Sequence, residues 1–359
     1  MRAYLDYNAT APLRPEARAA TLAALESCGN PSSIHAEGRA ARALIEEARR
    51  QVAALCRANA RDVVFTSGGT ETAALALAPS GGLARLIVSA GEHPCVLAGH
   101  RFAQAEIAPL GADGRVDLPA LKRLLDGPPA LVALQAANNE TGVIQPVAEA
   151  AALAHARGGR LVCDAAQAAG RVPLDAFGDA DALILSAHKF GGPKGAGALV
   201  LLREGFAPAP LLRGGGQERG RRAGTENVAA LAGFGAAATA ALEEARLAAL
   251  RDACEAALPG DAVIFGAAAS RLPNTLAFAI PGLPAATLLM RLDLDGVAVS
   301  SGSACSSGKV SPSHVLAAMG VAPALAAGAI RVSLGWGSSC ADVEAFAAAL
   351  DKAAARRRV

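Results

Sequence analysis

The chain has 359 residues, 52% hydrophobic, 18% charged and 3% aromatic, which excludes a disordered protein and calls for a core of closely packed small aliphatic side chains. A net charge of +2 gives no reason to expect nucleic acid, and the one basic cluster, "ARRRV" at 355–359, reads as a solvated helix end. Seven cysteines without a C-x-x-C spacing argue against a disulfide framework or zinc ribbon and fit a reducing compartment.

The length suggests one large domain with a smaller one. The start, "MRAYLDYNATAPLRPEA", lacks the apolar run of a signal peptide. No stretch offers about 20 uninterrupted apolar residues, so no membrane span is expected and the protein reads as cytoplasmic. From residue 60 to 203, apolar runs alternate with helical patterns: "DVVFTSG", "RLIVSAGEH", "ALVALQAANNETG", "RLVCDAAQ", "ALILSAHK" and "GALVLLR". Stretches such as "PVAEAAALAHARG" lie between them. This predicts an α/β protein whose sheet is mostly parallel and covered on both faces. In such sheets ligands bind at the carboxyl ends of the strands. Five runs end there in polar residues: Ser67 to Thr70, Glu92-His93, Asn138 to Glu140, Asp164 to Gln167 and Ser186 to Lys189.

The Gly/Arg-rich stretch "RGGGQERGRRAGTEN" (213–227) has no hydrophobic anchor and is expected to be an exposed loop. From Val228 the chain reads as one long helix bridging into the second domain. There "AVIFG", "TLAFAI" and "AIRVSLGW" are candidate strands, and "PAATLLMRLDLDG", "SPSHVLAAMG" and "CADVEAFAAALDKAAARR" are candidate helices. The predicted division is 15–240 for the large domain, and 1–14 plus 241–359 for the small one.

Three strand ends carry chemistry. In "FTSGGTETAAL" a strand, a Gly-Gly turn and a helix follow one another. Free N–H groups at such a helix start attract phosphate, although a plain N-cap by Ser67 or Thr70 explains the pattern equally. Asp164 closes an apolar strand, where a carboxylate needs a partner: it could cap a helix, ligate a metal or pair with a cationic ring nitrogen. The lack of a surrounding His or Asp cluster weakens the metal reading, and no metal site is expected. Lys189 closes another strand, as a Schiff-base amine or as a surface lysine. A phosphate cradle, a lysine and a strand-end Asp on one rim are the parts that pyridoxal 5'-phosphate requires.

One further segment is unusual. "SSGSACSSG" (300–308) sets Cys305 among serine, glycine and alanine, the composition of flexible chain. The expectation is a mobile loop.

Taken in order, "YLDYNATAP", "GNPSSIHAEGR", "FTSGGTET", "ANNETGVIQP", "CDAAQAAG", "SAHKFGGPKGAGAL", "GGGQERGRRAGTEN", "SSGSACSSG" and "IRVSLG" resemble, nearly end to end, a cysteine desulfurase of the NifS/IscS kind, a fold-type-I pyridoxal-phosphate enzyme of the class-V aminotransferase family. The resemblance implies a mostly parallel mixed sheet in the large domain and a smaller α+β domain carrying the Cys305 loop. It implies that Lys189 holds the cofactor through its amine and then moves protons. Asp164 pairs with the ring nitrogen, Gln167 bonds the ring hydroxyl, and His93 stacks on the ring and serves in acid–base transfer. Gly69, Thr70, Ser186 and His188 hold the phosphate, and Thr225 reaches a phosphate across a homodimer interface. Asn139 contacts cofactor or substrate, Arg331 clamps the substrate carboxylate, and Asn30 assists. Cys305 takes the sulfur of L-cysteine as a persulfide, leaving L-alanine, and passes it to an iron–sulfur scaffold or another acceptor protein. Gly69 departs from the alanine of many relatives.

Two other functions fit less well. One is selenocysteine lyase or another lyase or aminotransferase with the same cofactor; the other is a non-catalytic sulfur-carrier scaffold. His35 reads as a cap. Cys28, Cys56, Cys95, Cys163, Cys254 and Cys340 read as small buried hydrophobes, with Cys163 facing away from the Asp164 side. Glu92 and Glu140 read as carboxylates near the site or as loop charges.

Overall fold

The computed structural model describes residues 2–241, 244–302 and 312–355. In chain order the elements begin with β1 (Ala3–Tyr4), α1 (Pro15–Leu25), α2 (Ala36–Leu55), β2 (Val63–Thr66), α3 (Gly69–Ala76), β3 (Arg85–Ser89), α4 (Pro94–Leu97), β4 (Glu106–Ala108), α5 (Leu118–Leu124), β5 (Ala130–Gln135), α6 (Val147–His155), β6 (Arg160–Asp164), β7 (Ala182–Ser186) and β8 (Gly197–Leu201). They continue with α7 (Val228–Thr239), α8 (Glu244–Ala256), β9 (Val263–Ile264), β10 (Thr275–Ala279), α9 (Ala285–Leu294), β11 (Val297–Ala298), β12 (Ser300–Ser301), α10 (His314–Ala318), α11 (Pro323–Ala326), β13 (Ile330–Ser333) and α12 (Cys340–Ala355).

Seven strands form the large sheet in the order β2-β8-β7-β6-β5-β3-β4. Only β8 runs against the others, pairing antiparallel with both β2 and β7. All six apolar runs became strands, and the short β4 joins the edge of β3. β5 is buried along its whole length, as expected of a strand covered on both faces, so its run is apolar without alternation. One face packs Ile45, Val52, Leu134, Ala150 and Phe234; the other packs Leu75, Leu86, Val162 and Phe206. α7 fits between α1 and α2. It is built mainly of Ala and Gly, and that lets the three helices approach closely: a Cβ at Gly235 would meet the Ala48 Cα at 2.6 Å.

The second sheet, β12-β13-β10-β9, is antiparallel. A separate apolar core surrounds it, with Leu247, Phe278, Leu288, Val332 and Phe346. The first residues of the chain join this region: β1 pairs with β11, and Leu5 is buried in the same core.

The single long helix expected after residue 228 is two helices, α7 and α8. Ala240 caps the first. Their surroundings differ: Phe234 and Ala237 lie in the large-sheet core, whereas Leu247, Leu250 and Cys254 lie in the small-sheet core. The 213–227 segment is also less exposed than its composition suggests. Glu218 within it is buried and makes a two-pronged contact of 2.7 Å and 2.7 Å with Arg49 of α2. No helix of the described residues is long and apolar enough to cross a membrane.

Candidate active site

β2, β3, β5, β6 and β7 bring their carboxyl ends to one edge of the large sheet. Asp164 ends β6, and its Oδ1 accepts the Ala166 N–H at 2.9 Å. Its carboxyl pKa is raised, chiefly by burial, against the opposing pull of that N–H, His93 and Lys189. A cationic group at its other oxygen would restore the ionised form.

Lys189 closes the short 3-10 turn after β7. Its Nζ donates to the carbonyls of Asn8 at 2.8 Å and Ala9 at 3.1 Å. Asn8 is fully enclosed and ties the two sheets together. Its carbonyl also accepts from Gln167 Nε2 at 3.1 Å, and its Nδ2 donates to Thr275 Oγ1 at 3.0 Å and to Asn139 O at 3.1 Å. Its own N–H donates to Ser333 Oγ at 3.0 Å. Sequence reasoning quoted the Asn8 segment as a motif and assigned it no role.

Gln167 has both ends engaged, because its Oε1 accepts from Arg171 at 2.6 Å. Arg171, also unassigned from sequence, is buried, and burial with repulsion from Arg331 lowers its pKa to about 9. It holds Gln167 O at 2.6 Å and Lys189 O at 3.0 Å, and so braces the turn that presents Lys189.

The helix start beyond β2 is bare. Gly68, at φ +149, is the N-cap of α3 and offers no side-chain cap. Neither Ser67 nor Thr70 caps the helix: the Ser67 hydroxyl donates to Glu71 Oε2 at 2.5 Å, and Thr70 is exposed. Across the turn, a Cβ on Gly69 would lie 3.4 Å from Ser186 Cβ and 3.7 Å from its Oγ. Gly69 and Ser186 therefore face each other at a helix start that no side chain caps. His188 adjoins it, with Nδ1 3.2 Å from Thr10 Oγ1; burial and the nearby Lys189, Lys194 and Arg171 lower its pKa to about 4.

His93 is the N-cap of α4 and burial lowers its pKa, which Asp164 opposes. Beside it, Glu92 is wholly buried. Its Oε1 accepts the Gln135 N–H at 2.7 Å while its Oε2 has no partner. Burial and the neighbouring Asp164 raise its carboxyl pKa well above the ordinary range. The Glu92 carbonyl accepts from His314 Nε2 at 2.9 Å.

Arg331, on β13, is 2% exposed. One terminal nitrogen donates to Asn139 O at 2.9 Å and the other to Asp6 Oδ1 at 2.8 Å. Its Nε–H is buried without a partner, a donor that a substrate carboxylate would satisfy. Nearby, Glu140 accepts from Ser313 Oγ at 2.5 Å, and burial raises its pKa to about 7.

Two predicted residues stand apart from this group. Asn30 is exposed, and its Oδ1 turns back to accept the Ser32 N–H at 2.9 Å. Thr225 is exposed on a loop that lines a cleft with Thr66, Ser67 and Arg222. Arg222 is paired with Glu71 at 2.9 Å. Cys305, and the expectation of a mobile loop around it, lie outside the described residues. His35 caps α2, accepting the Gly38 N–H at 3.3 Å. Of the six other cysteines, Cys56, Cys163 and Cys254 are buried as expected, but Cys28 and Cys340 are exposed. Both stand at the margin of a helix, where the neighbouring chain covers little. Cys95 is half-buried, against His93.

The donor set fits pyridoxal phosphate: an uncapped helix start for a dianion, a strand-end carboxylate with a raised pKa for a ring cation, and a lysine amine presented at the same edge.

The family model for class-V aminotransferases matches residues 3–346. A cysteine desulfurase of Cereibacter sphaeroides is 45% identical over 96% of this chain and 93% of its own length. An IscS-like cysteine desulfurase of Mycobacterium tuberculosis is 42% identical over 99% of this chain and 97% of its own. The solved structure of a NifS-like protein from Rickettsia africae superposes with a TM-score of 0.90, at 33% identity, covering 99% of this chain and 100% of that one. The chain belongs to the class-V aminotransferase family, with the α/β fold expected of it. Within that family its relatives of this similarity are named cysteine desulfurases.

Proposed function

We propose that this protein is a cysteine desulfurase, which converts L-cysteine to L-alanine and carries the sulfur as a persulfide on Cys305. The reading rests on the meeting of Lys189, Asp164 and His93 at one sheet edge, in a chain 45% identical to a named cysteine desulfurase. When bound, pyridoxal phosphate supplies an electron sink for the α-carbon of an amino acid. Lys189 would hold the group through Nζ, in place of its bonds to Asn8 O and Ala9 O, and would carry protons at that atom. Asp164 would take the ring nitrogen and Gln167 the ring hydroxyl. The N–H groups of Gly69 and Thr70, with Ser186 and His188, would take the phosphate.

Arg331 would orient the substrate carboxylate with its guanidinium, with Asn139 beside it. Cys305 must reach the substrate sulfur as a thiolate, because the thiol is a poor nucleophile. An S–S bond then forms, the carbon–sulfur bond breaks, and the electron pair of that bond stays with the substrate carbons and is protonated to give alanine.

Residues 15–240 form the large domain in this reading, and 1–14 with 241–359 the small one; the two separate apolar cores support the division. The protein acts as a cytoplasmic homodimer in which Thr225 reaches a second subunit's phosphate. The sulfur goes to an iron–sulfur scaffold or a similar acceptor, a destination supported by the IscS-like name of a relative. The test is spectroscopic. Purified with the cofactor, the protein should be yellow; Lys189→Ala should alter that band and abolish cysteine-dependent alanine release. A colourless protein that takes up no pyridoxal phosphate would overturn the reading.

A further inference from the structure

Cys95 lies two residues beyond His93 and has no part in the chemistry above. Its backbone N–H donates to His93 Nδ1 at 3.2 Å, and its Sγ lies 3.0 Å from the same nitrogen. Pro94 occupies the first position of α4. It has no N–H, so the Cys95 N–H is the first that the cap can serve. A backbone N–H can only donate. Nδ1 is therefore the acceptor, and the neutral ring carries its proton on Nε2.

We propose that Cys95 is a positioning residue for His93: its N–H and its thiol both point at Nδ1, fix the Nε2–H tautomer, and make His93 a hydrogen-bond donor toward the cofactor and substrate rather than a base. This deepens the desulfurase reading and rests on it for the placing of His93 beside the cofactor. The thiol remains a donor at neutral pH, because burial with the nearby Asp164 and Glu92 pushes its pKa up to about 12. A proton can enter Nδ1 only if the ring leaves its cap, since the Cys95 N–H is held in the helix. Around the ring, Asp164 favours the protonated form, whereas Lys189 and His314 oppose it. The Cys95 N–H adds to that opposition because it can be given to the neutral form alone, and the thiol adds to it as a better donor than acceptor.

The experiment is a nitrogen-15 NMR titration of the histidine-labelled holoenzyme, with the His93 signal identified by its loss in His93→Asn. Wild type should show the neutral Nε2–H tautomer at pH 7 and a midpoint below 6.5. Cys95→Ala removes one donor to Nδ1 and should raise the midpoint by roughly half a pH unit or more. Cys95→Ser, whose hydroxyl can donate, should recover most of that shift. An Nδ1–H tautomer in wild type, or an unmoved midpoint in Cys95→Ala, overturns the proposal. If L-cysteine is not turned over at all, the desulfurase reading fails while the titration still decides the role of Cys95.

Discussion

Glu140 shows how one buried carboxyl makes the molecule sensitive to pH. The folded protein keeps its proton up to about pH 7, against an ordinary 4.5 in the unfolded chain. Between those values the native state binds more protons, so the associated stability is complete below about 4.5 and is lost as pH rises through 7. The full shift corresponds to about 3 kcal/mol as an order of magnitude. Glu140→Gln keeps an acceptor for the Ser313 hydroxyl and removes the titration. The variant should therefore gain stability over wild type at pH 8 but not at pH 4.5, measured by urea unfolding at the two pH values. Gly69 poses a question of space instead. A Cβ there meets Ser186 Cβ at 3.4 Å, an ordinary contact. Gly69→Ala should thus bind pyridoxal phosphate within a few-fold of wild type in a fluorescence titration, and a loss of binding would show that the turn needs glycine.

Among the elements, the turn before α3 depends on a close backbone approach. A Cβ at Gly197 on β8 would fall 2.6 Å from the Gly68 carbonyl carbon and 2.7 Å from its Cα. Gly197→Ala must push that turn away, so cofactor affinity should fall in this variant although Gly197 is no candidate ligand. In the Gly/Arg-rich segment the most deeply buried tie is Glu218, beside the Arg222–Glu71 pair. Glu218 bonds Arg49 twice and accepts the Phe65 N–H at 2.8 Å, while Arg49 lies over the Phe65 ring. Glu218→Ala leaves the buried Arg49 with only the more exposed Glu46 as counter-ion and should cost up to about 3 kcal/mol, read as a lowered denaturation midpoint. The six strands were legible because a doubly covered sheet needs continuous apolar runs, and their polar ends marked the site. Glu218 was not legible: its partner is 169 residues away in sequence, and nothing local distinguishes it from the arginines beside it. The break between α7 and α8 was hidden for a similar reason. Ala and Leu continue across it, and only the change from one core to the other ends the first helix.

On the scale of the whole molecule, the site is assembled from both sheets, and Asn8 and Arg331 are the joints. Lys189 and Gln167 arrive from the large sheet, Ser333 and Arg331 from the small one, and Asn139 from the loop after β5. Motif order in the chain could name most of these residues without showing that a short N-terminal segment binds them together. Asn139 offers its carbonyl to both Asn8 and Arg331. β12 (Ser300–Ser301), which precedes Cys305 in sequence, pairs with β13, the strand that carries Arg331. The most direct test is the mass of the Cys305 peptide after the holoenzyme meets L-cysteine without an acceptor or reductant. The account predicts a gain of one sulfur atom on Cys305, absent in Lys189→Ala. Alanine release at the wild-type rate from Cys305→Ala, with no added sulfur on the Cys305 peptide of wild type, would contradict it.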